Sequence, residues 1–228
     1  MKIGILQTGH APDALRPAHG DYNDLFEKLL AGQGLTFQTW PVVEMVFPSG
    51  IHDAEGWLIT GSRHGAYEDH PFIPPLEAFI RDCYAAGVPL VGVCFGHQII
   101  AQALGGKVEK YGGGWSVGRQ IYDWGGEPVA LNAWHQDQVT VRPAEAEVCA
   151  SNAFCENAAL VYGDKIFSVQ AHPEFSPDFL AELVEKRGRG LVPDTLLDTA
   201  ASAVSAPIDN ARLARQIAGF FKKRELVS

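Results

Sequence analysis

Pro89-Leu-Val-Gly-Val-Cys-Phe-Gly-His-Gln98 is the stretch on which the fold turns. Pro89 to Val93 is a short apolar run rich in β-branched residues, which reads as a buried strand. It breaks at Cys94-Phe95-Gly96 into a helical stretch from His97 to Leu104, closed by Gly105-Gly106. Glycines stand two residues before and two after Cys94, giving G-x-C-x-G, the cysteine form of a nucleophile elbow. Such a turn brings neighbouring backbone close, and side chains at the flanking positions would obstruct it. A helix starting just after Cys94 also aims free N–H groups at the sulfur, a setting that stabilises negative charge. A free cysteine is ordinarily a buried core residue; the elbow context reverses that reading for Cys94. Cys83, Cys149 and Cys155 have no such context and read as structural.

On the N-terminal side, Ile3 to Leu6 reads as a strand and Asp21 to Leu30 as a helix with Leu25, Phe26, Leu29 and Leu30 on one face. A strand at Phe37 to Val42 and another at Trp57 to Thr60 follow, the latter running into Gly61-Ser62. Pro74 to Ala86 is a helix with prolines in its first turn and Gly87 at its end. On the C-terminal side come short β-like runs near Arg119 to Tyr122, Val129 to Leu131, Val148 to Ala150, Leu160 to Tyr162 and Ile166 to Val169, expected as antiparallel edge strands. Helical sequence resumes at Pro177, breaks between Gly188 and Pro193, restarts near Pro193-Asp194 and ends in an amphipathic helix from about Asn210 to Lys223. The pattern predicts an α/β three-layer sandwich: a mostly parallel central sheet flanked by helices, with a small antiparallel β addition. Residues 1–228 read as a single domain with a C-terminal helical extension from about 188 to 228, packed on the sheet, a dimer contact being the alternative.

Parallel sheets place their sites at the carboxyl ends of strands, here Gly61-Ser62, Cys94 and the end of Ile166 to Gln170. A cysteine nucleophile needs a base, and the base needs an orienting group. Gln170-Ala171-His172-Pro173-Glu174 offers both, with Glu174 held near His172 by a stiff proline. Of the eight histidines, His10, His19, His52, His64 and His70 read as ordinary polar residues. Gly112-Gly113-Gly114-Trp115 reads as a loop.

The formal charge is -9, with no basic stripe to neutralise a phosphate backbone, so nucleic acid is not an expected partner. No cysteines are paired as C-x-x-C, so neither a disulfide framework nor a metal site is expected. The first apolar run is too short for a signal peptide or membrane span, which leads to the expectation of a cytoplasmic protein. There is no G-x-x-x-x-G-K-[ST] loop and no G-x-G-x-x-G turn after the first strand, hence no expected cofactor.

Val93-Cys94-Phe95-Gly96-His97-Gln98, followed far downstream by His172-Pro173-Glu174, resembles the class I glutamine amidotransferase family. The resemblance runs from Met1 to about Phe179. It implies that family's flavodoxin-like fold and a thioester mechanism, in which Cys94 attacks the γ-amide of glutamine and His172, oriented by Glu174, protonates the departing ammonia. It further implies an oxyanion hole from the backbone N–H groups of Phe95 and Ser62. Substrate contacts are implied at Gly61, Gln98, His135 and Gln136. Ser62 departs from the Leu-Ser-Gly-Gly-Pro loop of relatives in nucleotide synthesis: Ile59-Thr60-Gly61-Ser62-Arg63 stands here, keeping the N–H but changing its surroundings. The ammonia would need a separate synthase subunit, since the chain has no motif for an ATP-using acceptor. Leu58 to Ile73 and Gly20-Asp21-Tyr22 are similar instead to stand-alone members, some of them γ-glutamyl peptidases acting on glutathione-type compounds. A non-catalytic binding module and a thiol-dependent stress protein are the remaining alternatives; the intact Cys94, His172 and Glu174 argue against the first, and the His172-Pro173-Glu174 element against the second.

Overall fold

Alternation along the central strands sorts their side chains to two faces. Trp57 and Ile59 point to one apolar cluster and Leu58 to another; Leu90 and Ile166 join the first, Val91, Val93, Phe167 and Val169 the second. Strands buried on both faces need helices on both, and the computed structural model, which describes residues 1–224, supplies them.

The strands are β1 (Lys2–Leu6), β2 (Thr36–Trp40), β3 (Gly56–Ile59), β4 (Leu90–Val93), β5 (Lys107–Lys110), β6 (Ser116–Trp124), β7 (Glu127–His135), β8 (Asp137–Val141), β9 (Glu147–Ala150), β10 (Ala159–Tyr162) and β11 (Ile166–Val169). The helices are α1 (Arg16–His19), α2 (Tyr22–Leu29), α3 (Ile73–Ala86), α4 (Phe95–Ala103), α5 (Pro177–Leu183), α6 (Asp194–Ser202) and α7 (Asn210–Lys223). A seven-stranded sheet has the order β2-β1-β3-β4-β11-β10-β9. Its first five strands are parallel, and β10 and β9 complete it as antiparallel neighbours. Helices α3 and α4 cover one face through Leu76, Ile80 and Ile99. The other face is covered by α2 and α7 through Phe26, Leu213, Ile217 and Phe220.

Two features differ from the sequence expectation. Ile166–Val169, grouped there with antiparallel edge strands, lies inside the sheet and pairs parallel with β4, Val169 opposite Val93. The antiparallel addition is two separate ribbons, β5 with β8 and β6 with β7, besides the sheet-edge pair; β5 and β8 are too short and polar to stand out as strands. The β6–β7 turn falls on Gly125-Gly126, both with positive φ, as a tight hairpin requires. The expected C-terminal extension divides its work: α7 packs on the sheet, while Leu197 and Ala200 of α6 cover Val117 of the hairpin. Residues 225–228 of that extension lie outside the described residues.

The tightest point is the crossing from β4 to α4. Cys94 has φ 53° and ψ -103°, a left-handed backbone that a side chain disfavours. A Cβ on Gly96 would lie 2.3 Å from the carbonyl oxygen of Ile59, and one on Gly92 2.5 Å from that of Gly96. Both contacts are backbone, which cannot swing aside. Gly96→Ala is therefore expected to destabilise the fold by about 1–3 kcal/mol or more, read from the urea midpoint. At position 94 itself, Cys94→Gly should unfold at higher urea than Cys94→Ala, by about 1 kcal/mol, because glycine relieves the strain. Equal midpoints would remove strain from the account of this turn.

Candidate active site

Three adjacent parallel strands end at one level. Ile59 is paired with Gly92 and Val93 with Val169, so Gly61, Cys94 and Gln170 leave the sheet side by side and His172 follows two residues on. The backbone N–H of Cys94 donates to Val169 O at 2.9 Å, and that of His172 to Asn132 O at 2.8 Å, tying the histidine to β7.

His172 and Glu174 are both buried, and His172 Nδ1 is 2.7 Å from Glu174 Oε1. That contact leaves Nε2 free to face Cys94. Burial alone would disfavour an imidazolium here, but the Glu174 carboxylate first, and the Cys94 sulfur next, outweigh it and hold the His172 pKa well above its ordinary value. The ring is fixed by stacking on Phe175, with centroids 4.0 Å apart and planes 6° apart. Phe175 in turn stacks on Tyr22 at 6.4 Å.

Cys94 opens onto a cavity of about 670 Å³ that is also lined by His172, Ser62, Gln98, His135 and Gln136. Gly61, Phe95 and Glu174 lie behind its surface; a Cβ on Gly61 would come within 3.0 Å of His172 Cε1. Thus the structure gathers all nine residues singled out in the sequence around one sulfur. Among the described residues, the N–H groups of Phe95 and Ser62 have no backbone acceptor. The Ser62 hydroxyl is used to pin its loop: it donates to Thr8 O at 2.7 Å and accepts from His64 N at 3.2 Å. Gln98 also lines the cavity, and its Nε2 donates to Asp137 O at 2.8 Å and to Gln170 Oε1 at 3.1 Å.

Gln170 was missed as a site residue. Its Nε2 lies 3.7 Å from Cys94 Sγ, within reach of a sulfur acceptor. The signal that could have found it is period-two alternation, which puts Gln170 and His172 on one side of the extended chain. His135 is buried, and its Nδ1 is 3.2 Å from Asp137 O. A carbonyl can only accept, which assigns the ring proton to Nδ1 and makes Nε2 an acceptor. That Nε2 is buried without a protein partner. Burial and then the neighbouring His172 push the His135 pKa down to about 3, so the ring is neutral. His97, buried in α4 with its pKa pushed down to about 3 by burial, bonds Ser168 Oγ at 2.8 Å and is a core residue.

The family model described as Glutamine amidotransferase class-I matches residues 54–186, which include every one of these site residues. The chain belongs to the class I glutamine amidotransferase family. Among its relatives, Gamma-glutamyl peptidase 4 of Arabidopsis thaliana is 26% identical over 92% of this chain and 90% of its own. Gamma-glutamyl-L-1-hydroxyisopropylamide hydrolase of a Pseudomonas species is 31% identical over 72% of this chain and 61% of its own. A crystal structure of a glutamine amido transferase from Methylobacillus flagellatus superimposes with a TM-score of 0.74, at 23% identity, over 100% of this chain and 96% of that one, and shares the fold. Among the described residues, no helix of this family member is long and apolar enough to cross a membrane.

The raised His172 pKa rests on Glu174, so Glu174→Gln should lower it, which an NMR titration of the ring would read directly. The sign for stability follows. A group with a raised folded pKa contributes fully below its unfolded value, about 6.5 for histidine, and loses that contribution as pH climbs through the folded value. The variant should therefore lose it at lower pH than the parent. An unchanged His172 titration would remove Glu174 from that role.

Proposed function

We propose that this chain hydrolyses γ-glutamyl amide bonds through a thioester on Cys94. The observation that carries the reading is the joining of a strained elbow cysteine with a buried His172–Glu174 pair on one cavity wall. In this mechanism the sulfur attacks the γ-carbonyl carbon, and the oxygen takes up charge against the N–H groups of Phe95 and Ser62. The C–N bond then breaks as His172 gives its proton to the leaving amine. Water attacks the thioester, His172 accepts its proton, and glutamate leaves with the sulfur restored. Gln170 donates to the sulfur while it is anionic. His135 Nε2, a neutral acceptor, suits the substrate's α-ammonium group.

Glutamine fits this scheme with ammonia as the leaving amine. The cavity favours a larger one. At about 670 Å³ it falls in the range that encloses drug-sized ligands, so glutamine alone underfills it. Its lining carries four cationic side chains, Arg16, Arg63, Lys110 and Arg187, against three acidic ones, Asp13, Glu68 and Asp137. The whole chain has 18 against 27, so the cavity is locally suited to a substrate with free carboxylates. A γ-glutamyl peptide has both the size and the charge. The similarity to Gamma-glutamyl peptidase 4 supports a reaction that needs no acceptor subunit; the ammonia-supplying reading calls for a separate synthase partner.

The test is release of glutamate, and of ammonia or amine, from glutamine, glutathione and γ-glutamyl anilide by the purified protein. Partner-free turnover is expected, with kcat/KM higher on glutathione than on glutamine, and lost in Cys94→Ala. Glu174→Gln should lower kcat by about 10²- to 10⁴-fold with the fold intact. Turnover that persists in Cys94→Ala would overturn the thioester, and turnover confined to glutamine would overturn the larger leaving group.

A further inference from the structure

We propose that His64, Glu68 and His70 form a binding site for a divalent metal ion of the zinc type at the rim of the catalytic cavity. The three residues sit on the connection between β3 and α3, close in sequence, and each offers one ligand atom, all within 4.8 Å of one another. His70 Nε2 is 2.7 Å from Glu68 Oε2, and His64 Nδ1 is 3.8 Å from the same oxygen. Ligands of tetrahedral zinc, bonded at about 2.0–2.1 Å, stand about 3.3 Å apart. One contact must therefore open by about half an ångström and the other close by as much, and the His64 and His70 donor atoms, within 4.8 Å of each other, must reach the same spacing. Two imidazoles and one carboxylate are the donor set of an open zinc site, in which the fourth position is left for water or a ligand. The borderline nitrogen donors favour such ions over magnesium or calcium, which prefer oxygen.

The packing holds the rings in place before any ion arrives. The His64 and His70 rings lie with centroids 4.0 Å apart, and both rest on buried Phe72, at 5.9 and 5.8 Å. The connection is also cramped at Gly65, where a Cβ would meet Tyr67 Cζ at 3.0 Å and Glu68 Cγ at 3.3 Å. Two imidazoles held side by side and turned toward one carboxylate already bring the three donor atoms together, and the rings need only splay apart to take up tetrahedral positions. Part of each side chain remains open, 19% for His64, 45% for Glu68 and 30% for His70, so an ion has access. His64 and Glu68 also line the catalytic cavity, so the site borders the space a substrate would occupy. Phe72 touches Phe95, the residue after Cys94, at 6.0 Å, and His64 N bonds Ser62 Oγ, so a bound ion would stiffen the connection that carries the Ser62 N–H. The cysteine spacing that discouraged a metal expectation does not bear on this site, which has no sulfur.

The probe is Co²⁺, whose visible absorption reports its ligands, titrated into the Cys94→Ser protein so that the catalytic thiol cannot compete. One equivalent should bind and give ligand-field bands without a thiolate charge-transfer band. His64→Ala and His70→Ala, each checked for its fold by circular dichroism, should each weaken binding tenfold or more. His135→Ala should not, and Zn²⁺ should displace the Co²⁺. No saturable binding, a thiolate band, or affinity that follows His135 in place of His64 and His70 would each overturn the proposal.

Discussion

The left-handed backbone at Cys94 is the constraint around which the rest of this structure is arranged. A strand cannot pass into a helix within one residue unless that residue leaves the ordinary regions of φ and ψ, and here it carries a side chain. The conformation persists because its neighbours allow no other: Gly92 and Gly96 are pressed against backbone, and Gly96 N bonds Thr60 O at 3.2 Å. The return is geometric. The sulfur projects from the end of the sheet, and the first N–H groups of α4 are left without intrahelical partners beside it.

That projection is useful only because β3 and β11 flank β4 in parallel and in register. Each strand end then supplies a different element: Gly61-Ser62 a backbone N–H, Cys94 the sulfur, and the stretch after β11 both the histidine and its carboxylate. The His172–Glu174 pair is buried, where charges are costly unless mutually compensated. Glu174 Oε2 has no protein partner, so the pair is held by one short contact and by the stacking of Phe175. For the proposed proton transfer through His172 this economy would be an advantage, since each further bond to the carboxylate would weaken its grip on the ring.

What the sequence made legible followed the strength of local signals. The elbow, the strand before it and the His172-Pro173-Glu174 element each combine a period with fixed small or charged residues, and the structure has them where the residues indicated. The place of β11 inside the sheet was hidden because a four-residue, mostly apolar run looks alike in parallel and antiparallel pairing. Strands β5 and β8 were hidden because half of each faces water. The engagement of Gln98 with Gln170 and Asp137 was hidden for another reason: it joins residues distant in sequence, and a polar side chain on a helix reads the same whether it is free or spoken for. The gathering of His64, Glu68 and His70 depends similarly on Phe72 lying beneath two of the rings, which no spacing rule announces.

The cavity's charge pattern bears on two histidines, His172 and His135, that line the cavity with Cys94. Only one of them can be cationic at modest cost, because His172 takes the compensation that Glu174 provides, and a second imidazolium nearby would be repelled. His135 is neutral for that reason as well as by burial, and the Asp137 carbonyl fixes its proton on Nδ1. Neutrality is what makes it serviceable: an imidazolium would repel the ammonium of an α-amino acid, whereas a buried, unpartnered Nε2 acceptor is left short of one hydrogen bond that such a group can supply. The arginines at the rim have the opposite task. In a chain of net charge -9, they offset the general field at the cavity, as the proposed substrate with free carboxylates would require. For the proposed γ-glutamyl substrate a neutral interior would serve the amino group and a basic lining the carboxylates, two requirements that no single arrangement of charge could meet.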